Sequence, residues 1–226
     1  MRLVLIHSPL LGPASLEPTA AALRALGLEA TAIRLPPLLE IGGSYYGELA
    51  DAAARQISEP GDAIVVVHSG AGALAPVIAS ALGAVRGVIF VDAILPHGGR
   101  AWLDTAPATM RTQLVGGAQQ GLLPAWDGWW PPGALERLVP DASDRDAVIA
   151  ELEPLPLAFF EESAPDVGLD APCAYLQLSG SYDEEARRAG RLGWPVVRLP
   201  LNHLACVGQP QAVAGALEGL ARRLAT

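Results

Sequence analysis

The chain predicts an α/β protein: a mainly parallel six-stranded sheet with helices on both faces and an inserted helical cap. Two observations carry this. Short apolar runs alternate with longer Ala- and Leu-rich stretches at helical spacing, the βαβ rhythm that builds parallel sheets covered on both sides. One stretch, between Pro96 and Pro172, breaks the rhythm with prolines and four of the five tryptophans.

The predicted strands are Leu3 to Ile6, Ala30 to Ile33, Ala63 to Val67, Val85 to Val91, Cys173 to Leu178 and Val196 to Leu199. Each is bounded by Gly, Pro or polar residues, as strands buried on both faces are. Helices are expected over Ser15 to Leu26, Gly47 to Ile57, Gly70 to Leu82, Asp183 to Leu192 and Gln209 to Leu224. The cap, 97–169, has no convincing strand. It should hold helices around Ala108 to Leu114 and, with Ser143 as N-cap, Arg145 to Leu152. The core is then 1–96 with 170–226.

Composition removes several classes of function. A chain of 226 residues, 51% hydrophobic, buries one substantial core. Its net charge of −9 and lack of a basic cluster argue against nucleic acid. All 15 basic residues are arginine, which excludes Schiff-base chemistry, P-loop lysines and Ser-Lys dyads. Cys173 and Cys206 do not make a disulfide framework and have no metal-ligand spacing, so a reducing, cytoplasmic setting is expected, without metal or cofactor. The apolar run at Leu3 to Ile6 is too short for a signal peptide or a membrane span, and no membrane partner is expected.

The stretch Ile64 to Ala75, IVVVHSGAGALA, fits two chemistries. As G-x-G-x-x-A it matches a dinucleotide fingerprint, with Asp92 about 20 residues further on, where a ribose-binding carboxylate would sit. Against this, two βα units precede the turn, whereas the fingerprint usually opens its unit. As V-H-S-G-A it matches the strained strand-to-helix turn that exposes a nucleophilic serine, with Val67 and Ala71 in place of the usual glycines. That reading requires an acid and then a histidine downstream. SGSYDEE places Asp183 after one strand, and PLNHLA places His203 after the next. In a parallel sheet these carboxyl-end loops share one edge with Ser69.

The ordered combination of HSPLLG, VHSGA, GSYD and NHLA resembles the α/β-hydrolase superfamily, in a short form lacking the first two strands of the full fold. The resemblance implies Ser69 as nucleophile, His203 as base and Asp183 as triad acid. Asp92 is the alternative acid, since in some relatives the acid ends that strand, and Glu184 remains a third choice. His68 is expected to pack rather than act as base, and His97 to lie on a surface loop.

The oxyanion hole implied by the resemblance uses the N–H of Gly70 and a second donor from the loop after the first strand. There Pro9 occupies the expected position and has no N–H. Losing one such donor costs about 3 kcal/mol, on the order of a hundredfold in rate. Leu10 is the expected replacement, aided by the Ser8 hydroxyl. In the cap, Trp102, Trp126, Trp129, Trp130, Phe159 and Phe160 offer flat apolar surface for a bulky, aromatic acyl group.

The resulting expectation is a serine hydrolase acting on an ester or thioester of a small molecule through an acyl-enzyme. Its rivals are an acyltransferase drawing on an acyl-carrier protein, a hydrolase-like binding protein, and a nucleotide-binding oxidoreductase.

Overall fold

A computed structural model describes residues 1–225. The chain begins β1 (Arg2–Ile6), α1 (Glu17–Ala25), β2 (Glu29–Ile33), α2 (Tyr45–Arg55), β3 (Ala63–His68), α3 (Ala75–Leu82) and β4 (Gly87–Val91). The cap segment follows: α4 (Trp102–Thr105), α5 (Ala108–Gly117), β5 (Leu122–Leu123), α6 (Ala134–Leu138), α7 (Ala142–Ile149), β6 (Leu155–Pro156) and α8 (Leu157–Glu161). The chain ends with β7 (Cys173–Gln177), α9 (Asp183–Arg191), β8 (Val196–Arg198), α10 (Ala205–Gly208) and α11 (Pro210–Leu224).

All six predicted strands form one sheet of order β2-β1-β3-β4-β7-β8, and every pairing in it is parallel. Side chains alternate between its faces because the strand period is two. Val4, Ile6, Val65, Val67, Val88 and Phe90 join the core formed with α2 and α3. Leu3, Leu5, Ile64, Val66, Ile89 and Val91 join the one formed with α1 and α11.

Three local expectations are corrected. The helix foreseen from Gly70 is a 3-10 turn over Ser69–Leu74, and α3 starts only at Ala75. Pro76 explains this, because proline fits a helix only in its first turn. The second cap helix is capped by the Asp141 carboxylate, which accepts from the Asp144 N–H at 3.0 Å, rather than by Ser143. The cap also contains a short antiparallel ladder, β5 with β6, where no strand was foreseen.

The cap segment is fastened to the core by a carboxylate at two points. Glu151 accepts from the Ala14 N–H at 2.7 Å and pairs with Arg34 at 2.6 Å. Glu162 accepts from the Ser44 hydroxyl at 2.7 Å and the Tyr45 N–H at 3.0 Å, at the start of α2. A third apolar cluster joins Trp126, Leu135, Val139 and Val148 of the cap to Leu11, Leu204 and Val207, at the carboxyl edge of the sheet. Among the described residues no helix is long and apolar enough to cross a membrane.

The turn after β3 is locked by its neighbour. The Ile94 N–H donates to the Ser69 carbonyl at 3.2 Å, and a Cβ on Gly72 would sit 1.9 Å from the Ile94 carbonyl oxygen. The close approach that Gly72 permits is therefore to the chain's own backbone rather than to a pyrophosphate, which removes the main support for the dinucleotide reading. Gly72→Ala is expected to destabilise the protein by about 3 kcal/mol, since a backbone carbonyl cannot yield as a side chain can. Equilibrium denaturation in urea measures it, and an unchanged midpoint would contradict the packing described.

Candidate active site

Ser69 follows β3 with φ 56°, left-handed backbone that a non-glycine residue adopts only where the surroundings enforce it. His203 lies in the loop between β8 and α10. Its Nε2 is 3.0 Å from the Ser69 Oγ and its Nδ1 is 2.9 Å from the Asp92 Oδ2. A carboxylate only accepts, so Nδ1 carries the proton, and Nε2 presents its lone pair to the Ser69 hydroxyl.

It is Asp92, not Asp183, that holds His203. Asp92 directly follows β4, with φ 42°, and is fully buried. Its Oδ1 accepts from the Leu178 and Ser179 N–H groups at 2.8 and 3.0 Å, and its Oδ2 also accepts from the Ser179 hydroxyl at 2.6 Å. Burial pushes this carboxyl upward, but the His203 hydrogen bond and charge and the Ser179 and Leu178 donors outweigh it, leaving it below its ordinary value. The Tyr175 hydroxyl fixes the next residue, donating to the Ala93 carbonyl at 2.7 Å and accepting its N–H at 3.0 Å.

Asp183 is half exposed as the first residue of α9, where it accepts from the Gln177 amide and pairs with Arg187 at 3.7 Å. Glu184 is likewise turned outward, paired with Arg187 and Arg191. Both begin a helix whose positive end favours acidic side chains.

Three residues at the site escaped the sequence reading of roles. The Tyr182 ring stacks on His203 with centroids 5.1 Å apart, and its hydroxyl is 3.4 Å from the Ser69 Oγ. The Ser69 proton points to His203, so Tyr182 is the donor in that contact, and burial raises its pKa so that it keeps the proton. Ser179 was passed over although its side chain and backbone both serve Asp92. His68 does pack, as expected, but against the imidazole itself: the rings are 4.8 Å apart, and the His68 Nε2–H donates to the His203 carbonyl at 3.0 Å. No periodicity marks Tyr182 or Ser179. The adjacent DEE run, typical of a first helical turn, was the available sign that Asp183 faces solvent.

The loop after β1 meets the turn at Gly70, where an added Cβ would lie 2.9 Å from the Ser8 Oγ and 3.8 Å from Pro9. The Leu10 N–H, expected to supply the second oxyanion donor, donates instead to the Ser8 Oγ at 3.3 Å. His7 anchors this loop: its Nδ1–H donates to the Ser8 carbonyl at 2.7 Å and its Nε2 accepts from the Leu35 N–H at 3.1 Å.

The cap aromatics divide. Trp126 is buried with its ring 6.3 Å from His203 and edge-on to Trp130, which is partly exposed. Trp102 and Trp129 pack on Phe160, while Phe159 packs on Tyr45 and Tyr46 within the main core. His97, expected at the surface, is buried with its Nδ1 at 2.9 Å from the Arg100 carbonyl. Cys173 and Cys206 are both free and buried, and burial pushes both thiols up to about 12. Among the described residues no group of three His, Cys, Asp or Glu side chains is placed to hold a metal ion.

No family model and no curated protein matches the chain. Solved structures do. An extracellular α/β-hydrolase from a Paenibacillus species, described as sharing structural and functional homology with tobacco salicylic acid binding protein 2, superposes with a TM-score of 0.78 at 19% identity, covering 97% of this chain and 98% of its own. A pyrethroid hydrolase from Sphingobium faniae gives 0.70 at 18% identity, with 98% and 97% covered. Tomato methylketone synthase I, complexed with 2-tridecanone, gives 0.73 at 15%, with 99% and 98% covered. The chain has the α/β-hydrolase fold.

Burial lowers the pKa of His7 to about 4 and, with the neighbouring His203, that of His68 to about 3. Both stay neutral when folded and protonate near 6.5 when unfolded. Their contribution to stability is thus complete above pH 6.5 and declines as pH falls toward 4 and 3. For His7 the lowering corresponds to about 3 kcal/mol. Unfolding free energy should therefore drop between pH 6.5 and 4, and His7→Gln should flatten that slope while lowering stability at pH 7. Urea denaturation across this range measures it, and identical slopes in the two proteins would contradict the assignment.

Proposed function

We propose that the chain is a serine hydrolase that cleaves an ester or thioester of a bulky, apolar small molecule through an acyl-enzyme. The observation that carries this reading is the unbroken hydrogen-bond chain from Ser69 through His203 to Asp92, at 3.0 and 2.9 Å. Ser69 attacks the acyl carbon as its proton passes to His203 Nε2, and the carbonyl electrons move to oxygen, where the Gly70 N–H receives the charge. Asp92 stabilises the imidazolium and keeps its orientation. Collapse expels the alkoxide or thiolate, which takes the proton from Nε2. Water, deprotonated by the same nitrogen, then releases the acid and restores Ser69.

The substrate class rests on the cap. Trp126, buried beside His203, and the exposed Trp130 against it give a flat apolar flank to whatever reaches Ser69. Two of the structural neighbours bear on apolar compounds by name, a pyrethroid hydrolase and a methylketone synthase bound to 2-tridecanone, and both lend this class support.

Labelling with a fluorophosphonate, mapped by mass spectrometry, and hydrolysis of p-nitrophenyl butyrate test the reading. The wild type should be labelled at Ser69 and turn over the ester, and Ser69→Ala should do neither. Asp92→Asn should lower kcat by about 10⁴, the loss expected when the imidazole is held in the wrong tautomer. Asp183→Asn should stay within about twofold, as a solvated surface pair contributes little. Equal losses in the two aspartate variants would overturn the choice of acid.

A further inference from the structure

The loop after β1 leaves the proposed oxyanion hole short of a backbone donor. Pro9 has no N–H, the Leu10 N–H donates to the Ser8 Oγ at 3.3 Å, and the Leu11 N–H donates to the Ser8 carbonyl at 2.9 Å. The two amides after Pro9 are thus turned back onto Ser8. Ser8 is buried, at 1% exposure, and its Oγ lies 2.9 Å from where a Cβ on Gly70 would stand. A hydroxyl has one proton to donate. The Ser8 oxygen already accepts from Leu10, and among the described residues no acceptor takes its proton.

We infer that the Ser8 hydroxyl is the second oxyanion donor, a side chain replacing the backbone N–H that proline abolishes. The inference rests on the serine-hydrolase reading and completes its oxyanion site. When Ser69 adds to the acyl carbon and its proton moves to His203 Nε2, the charge on the former carbonyl oxygen is met by the Gly70 N–H and the Ser8 O–H. Collapse returns the electron pair to the carbonyl and expels the leaving group with the proton from Nε2, leaving Ser8 unchanged. The Leu10 N–H polarises the hydroxyl by donating to its oxygen, and hydrogen bonds arranged in series strengthen one another. His7, bonded to the Ser8 carbonyl and to the Leu35 N–H, keeps the loop in register, so this donor is in place before the charge develops.

Ser8→Ala and Ser8→Gly test the assignment, with p-nitrophenyl butyrate as substrate and an alkyl trifluoromethyl ketone as an inhibitor whose adduct with Ser69 carries the oxyanion. In the folded variants kcat should fall by about 10² to 10³, KM should stay within about threefold, and inhibitor affinity should weaken by the same factor as kcat/KM. A variant with kcat within threefold of wild type, a loss confined to KM, inhibitor affinity that does not move, or failure of both variants to fold would each overturn the role. Wild-type protein that is neither labelled at Ser69 by a fluorophosphonate nor active would instead end the serine-hydrolase reading on which it depends.

Discussion

The Asp92 carboxylate is the contact on which the rest of the site depends. It is removed from water and receives hydrogen bonds from the Leu178 and Ser179 backbone, the Ser179 hydroxyl and His203. A buried charge is tolerable only when satisfied in this way, and removing one partner of such a group is far more disruptive than losing a surface pair. The same four bonds join three parts of the chain: the end of β4, the end of β7 and the loop carrying His203. The carboxylate therefore sets where the imidazole sits and also pins the two strand ends that define the rim.

The imidazole is constrained from several directions at once. His68 holds the His203 carbonyl and stacks on the ring, Tyr182 stacks on it too, and Trp126 lies near it. Each neighbour offers either an apolar face or a single donor, leaving the His203 side chain only 14% exposed. Low polarity strengthens the Ser69 and Asp92 hydrogen bonds and raises the penalty for leaving either unmade. His68 and His7 accept that environment by staying uncharged, which ties the folded state of the site to neutral pH.

Much of the fold was legible because the four central strands, β1, β3, β4 and β7, are buried on both faces and so appear as apolar runs between polar or glycine-rich boundaries, while the edge strands β2 and β8 are partly exposed. The meeting of Ser69 with His203 was legible for a related reason, since strand ends of a parallel sheet converge. Which aspartate meets His203 was harder to read. Asp92 and Asp183 both follow strands at the same edge, and strand position alone does not separate them. Their surroundings do: a 3-10 turn over Gly180–Tyr182 carries Asp183 past the rim and into the first turn of α9, while left-handed backbone at Asp92 turns its carboxylate inward. Neither feature has a hydrophobic period. Trp126 and Phe159 were equally indistinguishable as residue types, because an aromatic ring suits a pocket wall and a core alike, and only tertiary packing divides them.

The amide chemistry of the loop after β1 has a wider consequence for how a fold tolerates change. In the proposed oxyanion site, a proline at a donor position would cost about 3 kcal/mol if the remaining backbone stayed as it was. Here the following two amides fold back on Ser8, using up the N–H groups that might have substituted but orienting a hydroxyl beside Gly70. The stiffness of Pro9 favours such a turn, because its fixed φ reduces the conformations the loop must surrender. Ser8 is then no passenger, since a residue without a side chain could neither receive the Leu10 N–H nor offer a proton of its own. In the proposed oxyanion site, Ser8 and Pro9 make chemical sense only as a pair.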